Sequence, residues 1–534
     1  MRRTLMGLAL CAALAPQAQA QPAPDTCGRL ATLRIDPAAI TLPTTGAQVL
    51  SAAPVTDANG TYCRVMGAIL PVDPAAPRIL FQANLPAQWN GRALQFGGGG
   101  YNGRIPNTTG LETHGLEGTP TPLARGFLTF GGDSGHQAAR NDDASFAVNE
   151  EALHNFGYQH IRKTLDAVRQ VATAHYGQAP RRVYFNGGST GGREGMTAAI
   201  RWPDAYDGII TWYPVTSYTG LRLWGATLAR AVYDDNSAGW IPPAMVTRLA
   251  RDSIARCDAL DGVADGLVSH PDGCRLGAAA YVESLRCPAG QTGNPDNCLT
   301  APQIDRALRV YHEGYTLPYA FANGSRDYRG YNSLEGITMQ LGTERDLQDT
   351  PDVDRNARHA ALAYQFFRYF VFGGNHVDMR QLDVTAPGPV RDRILEISGL
   401  FDASATDLSR FAARGGKIIW LHGHDDASVS PLENRRNFEA IVARMGSAAT
   451  DGFLRYFAIP GLAHGGGRFA PQWESLAALD AWRENGTPPD AAIITDGTSS
   501  TTRGRTRPLC RLPTWPQYRS GDPNQAASFA CVAE

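Results

Sequence analysis

The sequence predicts an α/β fold in which a mainly parallel sheet carries helices on both faces and one long insertion interrupts the alternation. Three observations predict it. Strand-like and helix-like segments alternate from residue 78 to about 216, the alternation lapses between 217 and 414, and it resumes from Lys417. Residues 21–216 and 415–534 therefore form one unit, with an inserted lid at 217–414 and a separate leader at 1–20.

The leader, MRRTLMGLALCAALAPQAQA, places Arg2 and Arg3 before an apolar run and ends in Ala18-Gln19-Ala20. That is the layout of a signal peptide cleaved after Ala20, and the bulky Leu10 argues against lipid attachment at Cys11. The expected location is secreted or periplasmic. Of nine cysteines, cleavage removes Cys11. The rest fall in neighbouring couples, Cys27 with Cys63, Cys257 with Cys274, Cys287 with Cys298 and Cys510 with Cys531, as disulfides of an exported chain would. No CxxC or HExxH spacing points to zinc.

At 534 residues, with 43% hydrophobic and 19% charged residues, the chain reads as a large soluble globular protein. A net charge of -2 offers no electrostatic attraction to nucleic acid or an anionic membrane surface. Beyond the leader no apolar run is long enough to span a bilayer. Oligomeric state leaves no signal.

Residues 78–96 contain two strand-like runs separated by AQWN, and the second ends in the glycine tract GGGGYNG at 97–103. Such a tract lets backbone approach a ligand and point its NH groups inward. A further strand at 127–130 ends in GGDSGH, and residues 150–176 carry apolar side chains at helical spacing, stopped by Gly177 and Pro180. RRVYFNGGST then reads as a strand and GGREGMTAAIRWP as a helix start, so Ser189 sits where strand turns into helix. In G-x-S-x-G, Gly187 and Gly191 remove side chains that would clash at that turn and leave the hydroxyl exposed.

A serine hydroxyl needs an imidazole to take its proton and a carboxylate to orient that imidazole. The resumed sheet supplies both, in the chain order serine, acid, histidine of an α/β-hydrolase. WLHGHDDASVSP places Asp425 and Asp426 beyond one strand, and IPGLAHGGG places His464 beyond the next. Spacing leaves either aspartate as the acid. The backbone NH of Thr190 and one from Gly99 or Gly100 are the expected oxyanion donors.

In the insertion, CDALDGVADGLVSHPDGC crowds Asp258, Asp261 and Asp265 into one loop. Like charges at that density favour a hard cation, calcium rather than zinc, over a solvated acidic loop. It is no EF-hand, because the glutamate at the twelfth position is missing.

Across nearly the whole mature chain, LPAQWNGRALQFGGGGYNG, GGDSGH, FNGGSTGGREGM, CDALDGVADG, CLTAPQ, LHGHDDASVSP and GLAHGGG resemble the tannase and feruloyl esterase family, which includes bacterial mono(2-hydroxyethyl) terephthalate hydrolases. The resemblance implies an α/β-hydrolase fold with a large lid, hydrolysis of small aromatic esters (feruloyl, galloyl or terephthaloyl type) through an acyl-enzyme, and structural calcium. Its HGxxD pattern falls on His422, Gly423 and Asp426, which makes Asp426 the triad acid with Ser189 and His464. Its calcium loop falls on Asp258, Asp261 and Asp265 with the carbonyls of Val263 and Leu267, and its disulfides on the four couples above.

One departure stands out. Family members typically carry a cysteine before the serine and another after the histidine, bridged to each other; here those positions are Gly188 and Gly465. The expectation is that packing and hydrogen bonds hold the His464 loop instead. A general carboxylesterase, lipase or serine peptidase would use the same triad, and a calcium-dependent binding protein would keep the fold without the chemistry. The aromatic run YQFFRYFVF at 364–372 is expected to be mostly helical core, with Arg368 exposed or facing a substrate carboxylate.

Overall fold

The computed structural model describes residues 26–291, 297–497 and 502–533. The leader at 1–20, with Cys11, lies outside the described residues. One sheet of ten strands organises the rest: β1 (Arg34–Ile35), β2 (Gly46–Asp57), β3 (Gly60–Leu70), β4 (Ile79–Pro86), β5 (Arg92–Phe96), β6 (Leu128–Gly132), β7 (Arg182–Gly188), β8 (Gly208–Trp212), β9 (Lys417–Gly423) and β10 (Leu454–Ile459). Their spatial order is β1-β2-β3-β4-β6-β5-β7-β8-β9-β10.

From β6 to the β10 edge every pairing is parallel, with Gly187 opposite Thr211 and Leu421 opposite Trp212. This is the parallel sheet that the alternation predicts. From β1 to the β4–β6 pairing the sheet is antiparallel, and the β2–β3 hairpin is an addition to the predicted pattern. The outer half of β2 is largely exposed and Ala-rich, so it shows no apolar alternation.

Strands buried on both faces read as continuous apolar runs. Val183 and Phe185 of β7 join one core and Tyr184 the other; Ile418 and Ile419 of β9 divide likewise. Against the first face pack α1 (His160–Tyr176) and α2 (Thr190–Arg201), through Leu165, Val168 and Met196. A helical turn at Glu150–His154 and a π-helical turn at Asn155–Gln159 lead into α1, which ends on Gly177 at φ 76°. Glycine takes that left-handed end without a Cβ clash.

The segment between β8 and β9 packs into a further core, which also takes in Tyr101, Leu153 and Phe156 from before it and Val429 from after it. Leu221, Trp224 and Leu228 of α3 (Tyr218–Ser237) meet Ala360, Ala363 and Phe366 of α5 (Arg358–Phe366), while α4 (Pro243–Cys257) leads into the acidic loop. After β9, α6 (Pro431–Met445) starts on a serine N-cap: the Ser430 hydroxyl accepts from the Glu433 NH at 3.1 Å, and Pro431 has no NH to leave unpaired. Helix α7 (Ser475–Asn485) covers the second sheet face with Leu476, Leu479 and Trp482. Helices thus lie on both faces.

All four cysteine couples are disulfide-bonded. Cys257–Cys274 closes the acidic loop, and Cys510–Cys531 ties down the tail.

Candidate active site

Ser189 stands between β7 and α2 at φ 58°, ψ -121°, a conformation that L-residues avoid. Its NH donates to the Trp212 carbonyl at 3.0 Å, and its carbonyl accepts from Arg193 and Val215 at 3.0 and 3.2 Å. Bonds on both sides hold the strained turn. Glycines make it possible: a Cβ at Gly187 would come within 2.6 Å of Gly191 backbone, and one at Gly191 within 2.7 Å of the Gly98 carbonyl. The turn and the glycine tract pack backbone against backbone, with Gly191 NH donating to Gly98 O at 3.0 Å.

Thr190 opens α2, so its NH has no acceptor within the helix. Its hydroxyl donates to the Gly100 carbonyl at 2.6 Å, which ties the residue after the serine to the tract. A Cβ at Gly99 would meet no atom within 4 Å, and Gly97, Gly98 and Gly99 line a cleft of about 530 Å³. The tract therefore faces open space on one side and the serine turn on the other.

Glu194, one turn into α2, is 1% exposed and anchors the tract. Its carboxylate accepts from Gly98 NH at 3.1 Å and from Asn102 Nδ2 at 2.6 Å, with His160 Nε2 at 3.4 Å. Burial opposes its charge, but the His160 imidazole, Arg193 and Asn102 outweigh burial and hold its pKa below the ordinary glutamate value. Nothing in the sequence marks Glu194, because only the tertiary approach of Asn102 reveals its contacts.

His464 and Asp426 lie beyond β10 and β9, and His464 Nδ1 donates to Asp426 Oδ2 at 2.9 Å. A carboxylate only accepts, so the proton sits on Nδ1 and Nε2 is left as the basic nitrogen. Asp426 is wholly buried; its Oδ1 accepts from Ser428 and Val429 NH at 2.7 and 2.9 Å. His422 Nε2 stands 3.3 Å from Oδ2. Asn434, whose amide is oriented by the Pro214 carbonyl at 2.8 Å, donates to His422 Nδ1 and so leaves the His422 proton on Nε2. Burial would raise the Asp426 pKa, but these imidazoles hold it well below the usual carboxylate range. Asp425 instead pairs with Arg468 at 2.6 Å and does not face His464 through any hydrogen bond.

The His464 loop closes on itself through the Leu462–Gly467 bridge and an Ala463 NH to Gly466 O bond of 2.7 Å. Arg468 fastens its end to Asp425 and to the Gly336 carbonyl at 3.0 Å.

Residues 63–532 match the family model described as tannase and feruloyl esterase. The chain belongs to that family. Membership makes it a carboxylic ester hydrolase. An uncharacterized esterase of Agrobacterium fabrum is 54% identical over 518 residues, covering 96% of this chain and 94% of that protein. A mono(2-hydroxyethyl) terephthalate hydrolase of Piscinibacter sakaiensis is 31% identical over 520 residues, covering 88% and 85%. In fold, the esterase is similar to the crystal structure of feruloyl esterase B from Aspergillus oryzae, with a TM-score of 0.77 at 23% identity over 95% of this chain and 99% of that one.

In the acidic loop of the esterase, Asp258 accepts from the NH groups of Asp265 and Gly266 at 3.0 and 2.9 Å. Asp265 accepts from Leu267 NH at 3.1 Å and pairs with Arg507. Asp261 accepts from Val263 NH at 3.1 Å through Oδ1, while its buried Oδ2 has no hydrogen-bond partner. Burial pushes the Asp261 carboxyl up to about 6, and the neighbouring aspartates add to that. Among the described residues, no three His, Cys, Asp or Glu side chains are already gathered as a metal cluster. The loop nevertheless offers hard oxygen donors and one orphaned buried carboxylate oxygen, which fits a divalent cation of the calcium type.

Tyr364, Phe366, Phe367 and Phe370 are buried, the helical core expected of that run. Arg368 is half-buried rather than exposed, with Nε donating to Gly374 O at 3.1 Å and Nη1 to the Tyr364 hydroxyl at 3.1 Å. Among the described residues no helix is long and apolar enough to cross a membrane.

Proposed function

We propose that this esterase hydrolyses esters of aromatic carboxylic acids, of the feruloyl, galloyl or terephthaloyl monoester type, through an acyl-enzyme on Ser189. The observation that carries the reading is the 2.9 Å bond from His464 Nδ1 to buried Asp426, on the loops beyond the strained Ser189 turn. Ser189 Oγ attacks the ester carbonyl while His464 Nε2 takes its proton. Asp426 keeps the imidazole in that tautomer and stabilises the imidazolium. The NH of Thr190 and one from Gly99 or Gly100 hold the tetrahedral oxyanion. His464 then returns the proton to the leaving alcohol, and water cleaves the acyl-enzyme by the same steps in reverse order.

The relatives supply the support for an aromatic acid. The relatives named above include a terephthalate monoester hydrolase and a feruloyl esterase. The residues at 217–414 serve as a lid, and calcium in the acidic loop is held by Asp258, Asp261 and Asp265 with the carbonyls of Val263 and Leu267. Bound there, calcium supplies no reacting group and fixes the loop. Four disulfides accord with a secreted or periplasmic location.

A hydrolysis panel tests the substrate class. Feruloyl, galloyl and terephthaloyl monoesters are expected to exceed matched simple alkyl esters in kcat/KM. Equal or faster turnover of the alkyl esters would contradict the aromatic preference while leaving the serine mechanism in place.

A further inference from the structure

Resting on the reading of Ser189 and His464 as the reacting pair, we infer that Tyr213 is a positioning residue that sets the plane of the His464 imidazole. Tyr213 follows β8 directly and is 6% exposed. Its ring lies 4.6 Å from the His464 ring, at 51°. The same side chain abuts the serine turn: a Cβ at Gly188 would fall 2.8 Å from Tyr213 Cε2 and 3.2 Å from its hydroxyl. A Cβ at Gly465, the residue after His464, would lie 3.9 Å from that hydroxyl. Tyr213 thus fills the space between the residue before the serine and the residue after the histidine. Gly188 is the vacancy that admits it.

The hydroxyl is anchored away from the reacting atoms. His114 Nδ1 reaches the Pro471 carbonyl at 3.1 Å, and a carbonyl only accepts, so Nδ1 carries a proton. Burial pushes His114 down to about 4, so the ring is neutral at pH 7 and Nε2 is an acceptor. The Tyr213 hydroxyl, 3.1 Å from Nε2, therefore donates to it. His114 in turn packs on Trp212 at 4.3 Å. The backbone agrees: Tyr213 keeps a positive φ of 35°, held by its NH to the Leu421 carbonyl at 2.7 Å.

A hydrogen bond to Asp426 fixes one edge of the imidazole but permits rotation about that bond. Contact with the Tyr213 ring removes this freedom and fixes the direction in which Nε2 points. The loss of such restraint shows in kcat rather than in substrate binding.

The test compares Tyr213→Leu and Tyr213→Phe in the full chain, with p-nitrophenyl acetate as substrate and circular dichroism to establish folding. Tyr213→Leu is expected to lower kcat by about 10- to 100-fold with little change in KM, and to move the acid limb of the kcat/KM profile. Tyr213→Phe, which keeps the ring, is expected to restore most of kcat and the wild-type acid limb. Where the leucine variant fails to fold, Tyr213→Met carries the same expectation. A folded leucine or methionine variant with wild-type kcat and acid limb would overturn the inference, as would a phenylalanine variant as impaired as the leucine one. Ser189→Ala is measured alongside: retained turnover there refutes the reacting pair itself, whereas its loss beside a normal Tyr213→Leu refutes only the role of Tyr213.

Discussion

His464 Nδ1 donates to Asp426 Oδ2 at 2.9 Å, and the Asp426 carboxylate is wholly buried beneath it. This pairing distinguishes two adjacent aspartates that spacing leaves equivalent. Asp426→Asn is expected to lower kcat by about 10³- to 10⁴-fold, because an amide favours the wrong imidazole tautomer. Asp425→Asn, which breaks the pair with Arg468, is expected to lower the melting temperature and keep most of kcat. Steady-state kinetics and thermal melts on both variants check the assignment; equal losses of kcat would contradict it.

Glu194 holds the glycine tract through Gly98 NH and Asn102. Its removal leaves those donors unpaired and loosens the segment proposed to carry an oxyanion donor. Glu194→Ala is expected to reduce kcat by about tenfold or more with a smaller change in KM. A variant that folds and turns over normally would show that the tract needs no such anchor.

Much of the fold is legible in the sequence because local periodicity encodes it. The strand and helix around Ser189 and the two late strands carrying Asp426 and His464 fall where apolar patterning and glycines place them. The β2–β3 hairpin escapes that reading because its exposed, Ala-rich half has no apolar face to alternate. At the site, chain order makes Ser189, Asp426 and His464 the candidates, since each follows a strand. What Glu194, His422 and Tyr213 do is illegible for another reason. Their roles depend on partners 92, 12 and 99 residues away, Asn102, Asn434 and His114, which only the folded sheet brings together.

His114 gives a pH-dependent contribution to stability with a definite sign. Its ordinary value of 6.5 falls to about 4 in the fold because burial penalises the charged ring, and the nearby His464 adds to the fall. The unfolded chain therefore binds the proton first. The contribution is present above pH 6.5 and is lost progressively as pH drops towards 4. Chemical denaturation at pH 7 and pH 4.5 is expected to show a larger acid loss for wild type than for His114→Gln. An equal loss in both proteins would contradict a neutral buried His114.

In the acidic loop, Asp261 has a buried oxygen without a hydrogen-bond partner. Calcium binding there is expected to raise the melting temperature of chelator-treated protein, by linkage between binding and folding. Asp261→Asn is expected to abolish that response. Calcium-independent melting of wild type would remove the ion from the loop.

The most direct measurement is mass spectrometry of the protein after reaction with an aryl phosphonate ester, followed by peptide mapping. A single adduct on Ser189 is expected, absent from Ser189→Ala, with ester hydrolysis lost in both the labelled protein and the variant. An adduct elsewhere, or a Ser189→Ala variant that still turns over ester, would contradict Ser189 as the acyl-carrying nucleophile.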